Sequence, residues 1–381
     1  MTATHDIIIA GLGAMGSAAA FHLARRGVRV LGLDRFTPPH TLGSSHGQTR
    51  IIREAYFEHP VYVPMVQRAY ELWRELEKAS GAALLRETGG LMLGLPDSTV
   101  VRGTLESVRQ HGLRHEVLTA PEVRRRFPAL RPTDGMIAVW EPRAGILAPE
   151  QCIAAHLRLA RDHGAELHFD EPVLRWEADA DSVRVFTAQG EHTARRLVLT
   201  AGAWIQSLLC DTLRVFQVER QTLFWFEPRG NPAEFAPSRC PIHLWQFDGR
   251  RFFYGFPDLG EGVKVAFHHD GVTTTPDTVH REVTEEEIDS MREVVQRFVP
   301  GANGPLRSST VCLYTNTPDE HFWIDSLPGC PQVLVASPCS GHGFKFSAVI
   351  GEVLADLALN APPKFDLSLF KQRFTPAFSR E

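Results

Sequence analysis

A glycine triplet near the start of the chain has the spacing of a site for a phosphate-bearing ligand. Gly11, Gly13 and Gly16 follow the apolar run DIIIA and precede an alanine-rich segment. The first glycine permits a tight turn, the second lets a diphosphate approach the backbone, and the third lets a helix pack on the strand. Asp34 ends the next apolar run, where its carboxylate would accept a hydrogen bond from a ribose hydroxyl. The group predicts a dinucleotide site at a helix N-terminus, with a glycine turn that binds no ligand as the alternative.

Two later segments favour FAD over NAD, which the triplet alone does not distinguish. The segment LVLTAGAW at 197–204 is a strand that enters a glycine turn, as expected where a turn lies against the FAD of an oxidase. The segment SGHGFKF at 340–346 is a glycine-rich turn that begins a helix. The positive end of that helix, together with Lys345, would stabilise an anionic reduced flavin. An anion-binding loop without flavin is the alternative for this second segment.

The segment SSHGQTRIIR at 44–53 places basic side chains just past the nucleotide-binding unit. They are His46, Arg50 and Arg53. Because an arginine can bind a carboxylate through two hydrogen bonds, the two arginines indicate an anionic ligand. A surface loop with salt bridges fits the same residues equally well.

Cys312 lies in the apolar run SSTVCLY, which predicts a buried strand. From the residues alone, the side chain is predicted to be a small core hydrophobe, with a functional thiol as the alternative. A reactive cysteine acts as the thiolate, so basic neighbours would have to favour that form. His46 and Arg50 are the candidates for such neighbours.

The elements that would position these residues are of two kinds. Patterns of β-α-β type occur at both ends of the chain and near 150–205, whereas antiparallel, strand-rich patterns dominate 86–147 and 213–300. The predicted fold class is α/β, with a Rossmann-like FAD-binding domain interleaved with a mixed, largely antiparallel-sheet substrate domain. The predicted FAD-binding domain comprises residues 1–85, 148–212 and 305–381, and the predicted substrate domain comprises 86–147 and 213–304.

The bulk properties exclude several classes of function. The 381 residues include 40 basic and 45 acidic side chains, and the net charge of −5 offers no general attraction for nucleic acid or anionic membranes. No apolar run reaches the roughly 18 residues of a membrane span, and the start lacks the regions of a signal peptide. The six cysteines are scattered without zinc-site spacing. We therefore expect reduced thiols, no metal site and a cytoplasmic location.

Five motifs occur in an order that resembles the monomeric sarcosine oxidase family, which includes N-methyltryptophan oxidase and L-pipecolate oxidase. They are GLGAMG, SSHGQTRIIR, YGFP, CLYTNTPDEHFWID and SGHGFKF, and the similarity spans essentially the whole chain. The resemblance implies FAD that is bound covalently, through a thioether between Cys312 and the flavin 8α-methyl group. For this cysteine the resemblance reverses the prediction made from the residues alone.

The resemblance also implies roles for side chains in the matching motifs. Tyr254 and His268 would line the substrate face of the flavin, and Lys264 would activate oxygen through a water. Arg53 and Lys345 would bind the substrate carboxylate. Taken singly, the first three residues also fit structural positions in strands. The predicted catalytic side chains are Lys264, His268, Tyr254, Arg50 and His46, and the predicted cofactor contacts are Gly11, Gly13, Gly16, Asp34, Arg35, Ser45, Gly202, Trp204, Cys312, Gly341, Gly343, Phe344 and Lys345.

We expect an FAD-dependent oxidase of secondary or N-methyl amino acids. It would form an imine, which hydrolyses to an aldehyde (formaldehyde for an N-methyl substrate), and hydrogen peroxide. Its expected partners are a small amino acid and O2, without nucleic acid or membrane, and we expect a monomer. The rival functions are an NAD-dependent dehydrogenase, a flavin-binding protein without turnover, and a dehydrogenase that does not use O2.

Departures from the family pattern leave the substrate open. Bacterial sarcosine oxidases tend to read HHGDTRIIRH, whereas this chain has Ser45, Gln48 and Glu54. The string SSHGQ is more similar to pipecolate oxidases, and Pro338 and Cys339 replace a common Gly-Phe pair. The alternative substrates are L-pipecolate and other cyclic imino acids, N-methyltryptophan, and fructosyl amino acids.

Overall fold

The computed structural model describes residues 5–209 and 213–371, which form two large β-sheets, a small third sheet and seven α-helices. The predicted domain limits at residues 1, 212 and 381, and Cys210, lie outside the described residues. The strands are β1 (His5–Ala10), β2 (Val30–Leu33), β3 (Arg50–Ile52), β4 (Leu85–Glu87), β5 (Gly90–Gly94), β6 (Glu116–Thr119), β7 (Ile137–Glu141), β8 (Gly145–Leu147), β9 (Glu166–His168), β10 (Arg175–Ala178), β11 (Val183–Phe186), β12 (Glu191–Leu199), β13 (Gln217–Phe226), β14 (Ile242–Phe247), β15 (Arg251–Gly255), β16 (Val263–His268), β17 (Val272–Thr274), β18 (Leu306–Asn316), β19 (Trp323–Leu327) and β20 (Cys330–Ser337). The helices are α1 (Ala14–Ala24), α2 (Tyr62–Ser80), α3 (Thr99–His111), α4 (Ala120–Arg126), α5 (Pro149–Asp162), α6 (Glu285–Phe298) and α7 (Ser347–Ala358).

The first sheet has β1 at its centre, between β2 and β12, and both neighbours are parallel to it. The parallel part continues through β9 beyond β2 and through β20 beyond β12. Antiparallel β10, β11 and β19 complete the edge next to β12 and β20. The parallel strands consist largely of buried Ile, Leu and Val, as expected for a sheet that is covered on both faces.

Helices α1 and α7 follow β1 and β20, so both start at the carboxyl edge of the first sheet. They pack very closely, because a Cβ on Gly351 of α7 would lie 2.5 Å from the carbonyl carbon of Ala18. The helix that begins in the SGHGFKF motif is therefore fixed beside the helix of the glycine triplet.

The second sheet is largely antiparallel, in the order β6-β7-β5-β14-β15-β16-β13-β17, with β18 paired along β13. The exception is the parallel pair β5–β14. The turn from β14 to β15 uses Asp248 and Gly249, both with positive φ, as the Asp-Gly signal indicated. The small third sheet, β3-β8-β4, places the arginine-bearing β3 next to β8.

The predicted α/β class, with a Rossmann-like part and a largely antiparallel part, is confirmed. The placement of β18 differs from the predicted domain limits, which assigned residues 305–381 to the FAD-binding domain. Hydrogen bonds join β18 to β13 along its whole length, so this strand belongs to the second sheet. Cys312 is therefore carried by the second sheet. Among the helices of the described segments, none combines the length and hydrophobicity that crossing a membrane requires.

Candidate active site

The glycine triplet forms the turn between β1 and α1, and the space available for a Cβ atom differs among the three glycines. Gly11 has a φ of +99°, and a Cβ there would lie 2.6 Å from the carbonyl oxygen of Thr200. A Cβ on Gly16 would lie 1.8 Å from the carbonyl oxygen of Gly11, so α1 packs on this turn only without a side chain. A Cβ on Gly13 would meet no atom within 4 Å. The backbone is thus open here, and no side chain caps the first N–H groups of α1.

Asp34, just past β2, lies beside this opening and lines the same cavity. Its carboxylate accepts hydrogen bonds from the backbone N–H groups of Leu12, at 2.6 Å, and Phe36, at 2.8 Å. Burial raises the pKa of Asp34 to about 6. Because backbone donors hold the carboxylate, its remaining lone pairs can accept from ligand hydroxyls. The open turn, the uncapped helix and this carboxylate together fit the pyrophosphate and ribose of FAD.

Arg35 and Trp204 form the rim of the cavity at this end. The Arg35 guanidinium lies 5.6 Å from the Trp204 ring centroid and 3.2 Å from the carboxylate of Asp277. The Trp204 indole N–H also donates to Asp277, at 2.9 Å. The rim therefore joins the first sheet to the loop that follows β17.

A cavity of about 420 Å³ extends from the glycine turn to the second sheet. Cofactor and ligand sites typically have volumes of roughly 300–1,000 Å³. Three of the predicted site residues, Gly16, His46 and Lys264, lie behind the cavity wall. The predicted site residues that line it are Gly11, Gly13, Asp34, Arg35, Ser45, Arg50, Arg53, Gly202, Trp204, Tyr254, His268, Cys312, Gly341, Gly343, Phe344 and Lys345.

Cys312 is buried and lines the cavity, with one cation beside its sulfur. The Arg50 Nη2 donates to Sγ at 3.7 Å, and the carbonyl of Ser44 lies 3.6 Å from the same sulfur. That guanidinium is fixed by a further bond from Nη2 to the Ser44 carbonyl, at 2.6 Å. Burial, followed by the charge of Arg50, lowers the pKa of His46 to about 3. His46 is therefore neutral, and Arg50 alone of the two predicted neighbours supplies positive charge.

Arg53 and Lys345 meet against the ring of Tyr56. The Arg53 guanidinium carbon lies 4.2 Å from the ring centroid, and the Lys345 Nζ lies 5.1 Å from it. Arg53 also donates from Nη2 to both carboxylate oxygens of Glu58, at 2.6 and 2.8 Å. Burial, followed by the charge of Arg53, lowers the pKa of Lys345 to about 7. The fold thus brings two cations to one place, and one of them already has an anionic partner.

A chain of hydrogen bonds fixes the direction of the Tyr56 hydroxyl. Burial lowers the pKa of His342 to about 3, so its imidazole is neutral and carries one proton. His342 Nε2 lies 3.0 Å from the carbonyl of Glu320, which only accepts, so Nε2 holds that proton. Nδ1 therefore accepts from the Tyr56 hydroxyl at 2.6 Å. The Tyr56 oxygen remains as an acceptor for the Lys345 Nζ, at 3.3 Å.

Tyr254, His268 and Tyr314 form an uncharged group on the second-sheet side of the cavity. His268 Nδ1 lies 3.1 Å from the Tyr314 hydroxyl, which is also hydrogen-bonded to Tyr254. Burial raises the pKa of Tyr254 to about 12 and lowers the pKa of His268 well below its usual range. The sequence analysis did not single out Tyr314. Its position two residues after Cys312, on the same face of β18, was the available signal.

Lys264 lies behind the cavity wall, on β16, rather than in the wall itself. Its Nζ donates to the carbonyl of Gly47 at 2.6 Å, and to the carbonyl and hydroxyl oxygens of Thr49 at 3.1 and 3.0 Å. Burial lowers the pKa of Lys264 well below its usual range. The three hydrogen bonds from its amino group anchor the loop that precedes Arg50.

The turn before α7 has no room for side chains at two of its glycines. A Cβ on Gly341 would lie 2.5 Å from the Tyr314 ring, and one on Gly343 would lie 1.5 Å from the carbonyl oxygen of Pro338. Of the residues that depart from the family pattern, Ser45, Pro338 and Cys339 line the cavity, and burial raises the pKa of the Cys339 thiol to about 11. The other departures pair elsewhere: the Glu54 carboxylate binds Arg143, and the Gln48 N–H donates to Glu150.

The chain is similar in sequence and in fold to known proteins. Residues 6–357 match the family model described as FAD dependent oxidoreductase. The chain is 47% identical to a monomeric sarcosine oxidase of Streptomyces avermitilis, over 98% of each chain. It is 36% identical to an N-methyl-L-tryptophan oxidase of Salmonella arizonae, over 96% of this chain and 98% of the other. The fold is similar to that of NikD, an unusual amino acid oxidase of nikkomycin biosynthesis, with a TM-score of 0.83, 23% identity and coverage of 99% and 100%.

Proposed function

The chain belongs to the family of FAD-dependent oxidoreductases, and we propose that it oxidises secondary or N-methyl amino acids at the CH–NH bond, with O2 as the electron acceptor. The products are an imine, which hydrolyses to an aldehyde, and hydrogen peroxide. The observation that carries the proposal is the meeting of Arg53 and Lys345 on the Tyr56 ring at the cavity. Two buried cations at one point suit a carboxylate, the group that all amino acid substrates share.

A substrate carboxylate binds at this point in competition with Glu58. Lys345 has a pKa of about 7, so the approach of an anion favours its charged form. The Arg53 guanidinium is held at the cavity by Glu58 and by the carbonyl of Ala55, at 2.8 Å. The acid end of the substrate is thereby fixed, and its amine end is directed toward the rest of the cavity.

The amine end of the substrate faces an uncharged part of the cavity surface. His268 is neutral because burial lowers its pKa, and Tyr254 is un-ionised because burial raises its pKa to about 12. These groups suit a neutral amine and its N-methyl or ring carbons. When bound, FAD would supply the redox chemistry, as the acceptor of a hydride equivalent from the carbon next to nitrogen and the donor of two electrons to O2. We propose that Lys264 assists the reaction with O2 from behind the wall, as the family resemblance implies.

We propose that Cys312 holds the FAD covalently. Its sulfur lines the cavity, and the Arg50 guanidinium donates a hydrogen bond to it at 3.7 Å. A C–S bond to the flavin 8α-methyl group would replace the thiol proton and one methyl hydrogen, and the two electrons and two protons would pass to O2 as hydrogen peroxide. We further propose that the protein acts as a monomer, in line with its sarcosine oxidase relatives, which are described as monomeric.

A peroxide assay tests the activity. We expect hydrogen peroxide with sarcosine, and the comparison panel is N-methyltryptophan, pipecolate, proline and a fructosyl amino acid. Preference for a member of this panel over sarcosine would reassign the substrate within the same chemistry. Anaerobic bleaching of the flavin without peroxide in air would indicate a dehydrogenase. No bleaching with any amine would indicate a binding protein, and NADH formation would indicate an NAD enzyme.

The attachment of FAD is tested with two cysteines of the same cavity. Acid-precipitated wild-type protein and the Cys339→Ser variant should stay yellow, because burial raises the pKa of the Cys339 thiol to about 11 and so disfavours its nucleophilic thiolate. The Cys312→Ser variant should release its FAD and leave a white pellet. A white wild-type pellet, or a yellow Cys312→Ser pellet, would contradict attachment at Cys312.

A further inference from the structure

A second cluster of polar side chains lies at the first sheet, apart from the residues of the amine and carboxylate sites. His168 ends β9, Glu171 follows it, and His192 lies on β12. One potential ligand atom from each residue lies within 4.8 Å of the other two. His168 Nδ1 lies 2.8 Å from the Glu171 Oε2, and His192 Nε2 lies 3.0 Å from the Glu171 Oε1. The two imidazoles thus converge on one carboxylate.

The hydrogen bonds of His168 require an extra positive charge. Its Nε2 lies 2.8 Å from the carboxylate of Glu166, while its Nδ1 lies 2.8 Å from the carboxylate of Glu171. A neutral imidazole has one N–H, so one of its nitrogens would present a lone pair to an anionic oxygen. Either a second proton or a metal ion must lie between those two atoms.

Glu171 itself also needs a compensating charge. Its side chain is only 1% exposed, and burying a carboxylate without a partner is costly. Among the residues that the structure describes, its ion-pair partners are His168 and His192, and Thr187 donates a neutral hydrogen bond at 2.7 Å. No lysine or arginine side chain from the described residues pairs with it.

From this arrangement we propose that His168, Glu171 and His192 bind a Zn²⁺ ion. Two imidazole nitrogens and one carboxylate oxygen are a ligand set that zinc accepts in proteins. Zinc at Nδ1 of His168 leaves the Nε2 proton to be donated to Glu166, as in the carboxylate–histidine pairs that orient metal ligands. The two histidine side chains are 32% and 21% exposed, so water can reach the fourth position.

The ion would fix the end of the cavity that holds Asp34. The Glu171 N–H donates to the Asp34 carbonyl at 2.8 Å, and the Asp34 N–H donates to the His168 carbonyl at 3.0 Å. The next residues, 172–174, line the cavity. A metal that joins β9 to β12 would therefore stabilise the cavity wall beside Asp34, the carboxylate that would bind the ribose. The role is structural, since the cluster contributes no residue to the amine or carboxylate site.

The test measures zinc on untagged, flavin-loaded protein. After removal of metal with a chelator, wild type and variants are dialysed against buffered Zn²⁺ and the bound metal is counted. We expect one Zn²⁺ per wild-type chain, and affinities at least roughly tenfold weaker in His192→Gln and Glu171→Gln. The control is His163→Gln, which changes an exposed histidine outside the cluster and should bind zinc like wild type.

A second measurement distinguishes the loss of zinc binding from the loss of folding. Zn²⁺ should raise the melting temperature of wild type and His163→Gln by a few degrees, but not that of His192→Gln. The flavin spectrum shows that each protein is folded, and His192→Gln decides the matter if Glu171→Gln does not fold. Equal zinc binding by wild type and His192→Gln would overturn the proposal. Absence of zinc binding by wild type would also overturn it, and protons would then supply the charge.

Discussion

The two ends of the cavity, which we propose to bind the dinucleotide and the substrate carboxylate, present different kinds of group to a ligand. At the dinucleotide end, Gly11, Gly13 and the start of α1 present backbone groups, and Asp34 is held by backbone donors. At the carboxylate end, Arg53 and Lys345 are ionisable side chains buried to 3% and 5% exposure. The first end depends on the path of the chain, whereas the second depends on charges removed from water.

This difference determines what disturbs each end. Backbone N–H groups do not titrate, so the dinucleotide end should respond mainly to added volume, and its response to pH should be limited to Asp34, whose pKa is about 6. Buried side-chain charges are sensitive to solvation and to neighbouring charge, and the pKa of Lys345 is already lowered to about 7. The carboxylate end should therefore respond to pH and to the loss of single polar atoms, even where volume is conserved.

The largest expected effect is at the dinucleotide end, where two glycines can be compared. Gly16→Ala places a Cβ 1.8 Å from the carbonyl oxygen of Gly11, whereas Gly13→Ala adds a methyl group that meets no protein atom within 4 Å. We expect Gly16→Ala to cost roughly 3 kcal/mol or more and to yield little folded flavoprotein. Gly13→Ala should fold, because only the approach of the diphosphate is obstructed.

Thermal melting and flavin content measure the two variants. Gly13→Ala should melt as a cooperative protein with substoichiometric FAD, while Gly16→Ala should show neither a normal melt nor bound flavin. If both variants lost FAD equally and kept wild-type stability, the packing reason given for Gly16 would be incorrect.

The dinucleotide end could be predicted from the sequence because its determinants are local. The run before Gly11, the spacing to Gly16 and the carboxylate at Asp34 lie within a single β-α-β unit. The spacing alone indicated a tight turn and an open backbone, and the structure has both. The sheet to which β18 belongs could not be predicted in this way. A strand in which apolar and polar residues alternate has the same sequence pattern in either sheet.

The carboxylate end could be predicted only in part. Family resemblance singled out Arg53 and Lys345, but the pairing of Arg53 with Glu58 was not predicted. The hydrogen bond between Tyr56 and His342 joins residues 286 positions apart, and no pattern in one sequence specifies such a contact. The convergence of His168, Glu171 and His192 was not predicted either, because His192 lies on a different strand from the one that precedes Glu171.

Removing a cation at the carboxylate end should weaken anion binding without loss of the fold. A charged hydrogen bond contributes roughly 1.5–3 kcal/mol, so Lys345→Met or Arg53→Ala should raise the dissociation constant of propionate about ten- to a hundred-fold. Perturbation of the flavin absorbance measures the binding. The flavin and its spectrum should persist in Lys345→Met. If both variants bound propionate like wild type, the carboxylate would be held elsewhere.

The pH dependence of propionate binding should reflect Lys345. The protonated amine binds the anion, and its pKa in the free protein is about 7. Affinity should therefore be constant below pH 7 and fall by up to about tenfold per unit as the pH rises above it. Lys345→Met should lack this decline, at a uniformly lower affinity. A wild-type affinity that is constant up to pH 9 would show that Lys345 is not the titrating group.

The smallest expected effect comes from one oxygen atom at the carboxylate end. Tyr56→Phe removes the hydroxyl that accepts from the Lys345 Nζ and leaves the His342 carbonyl, at 2.6 Å, as an acceptor. At 3.3 Å this hydrogen bond from the ammonium is long, so we expect it to contribute about 1 kcal/mol and its loss to weaken propionate binding about fivefold. Loss of an acceptor also disfavours the ammonium form, so the decline in affinity should begin at a lower pH.

A neighbouring tyrosine provides the matched control for this change. Tyr62 is equally buried, its ring lies 4.7 Å from that of Tyr56, and its hydroxyl lies 3.1 Å from His321 Nδ1. Tyr62→Phe should lower the melting temperature to a similar degree but leave the pH at which affinity declines unchanged. If the two variants shifted that pH equally, packing of the aromatic rings would set the state of Lys345. If neither shifted it, the His342 carbonyl alone would position the ammonium, and the direction of the Tyr56 hydroxyl would have no consequence for binding.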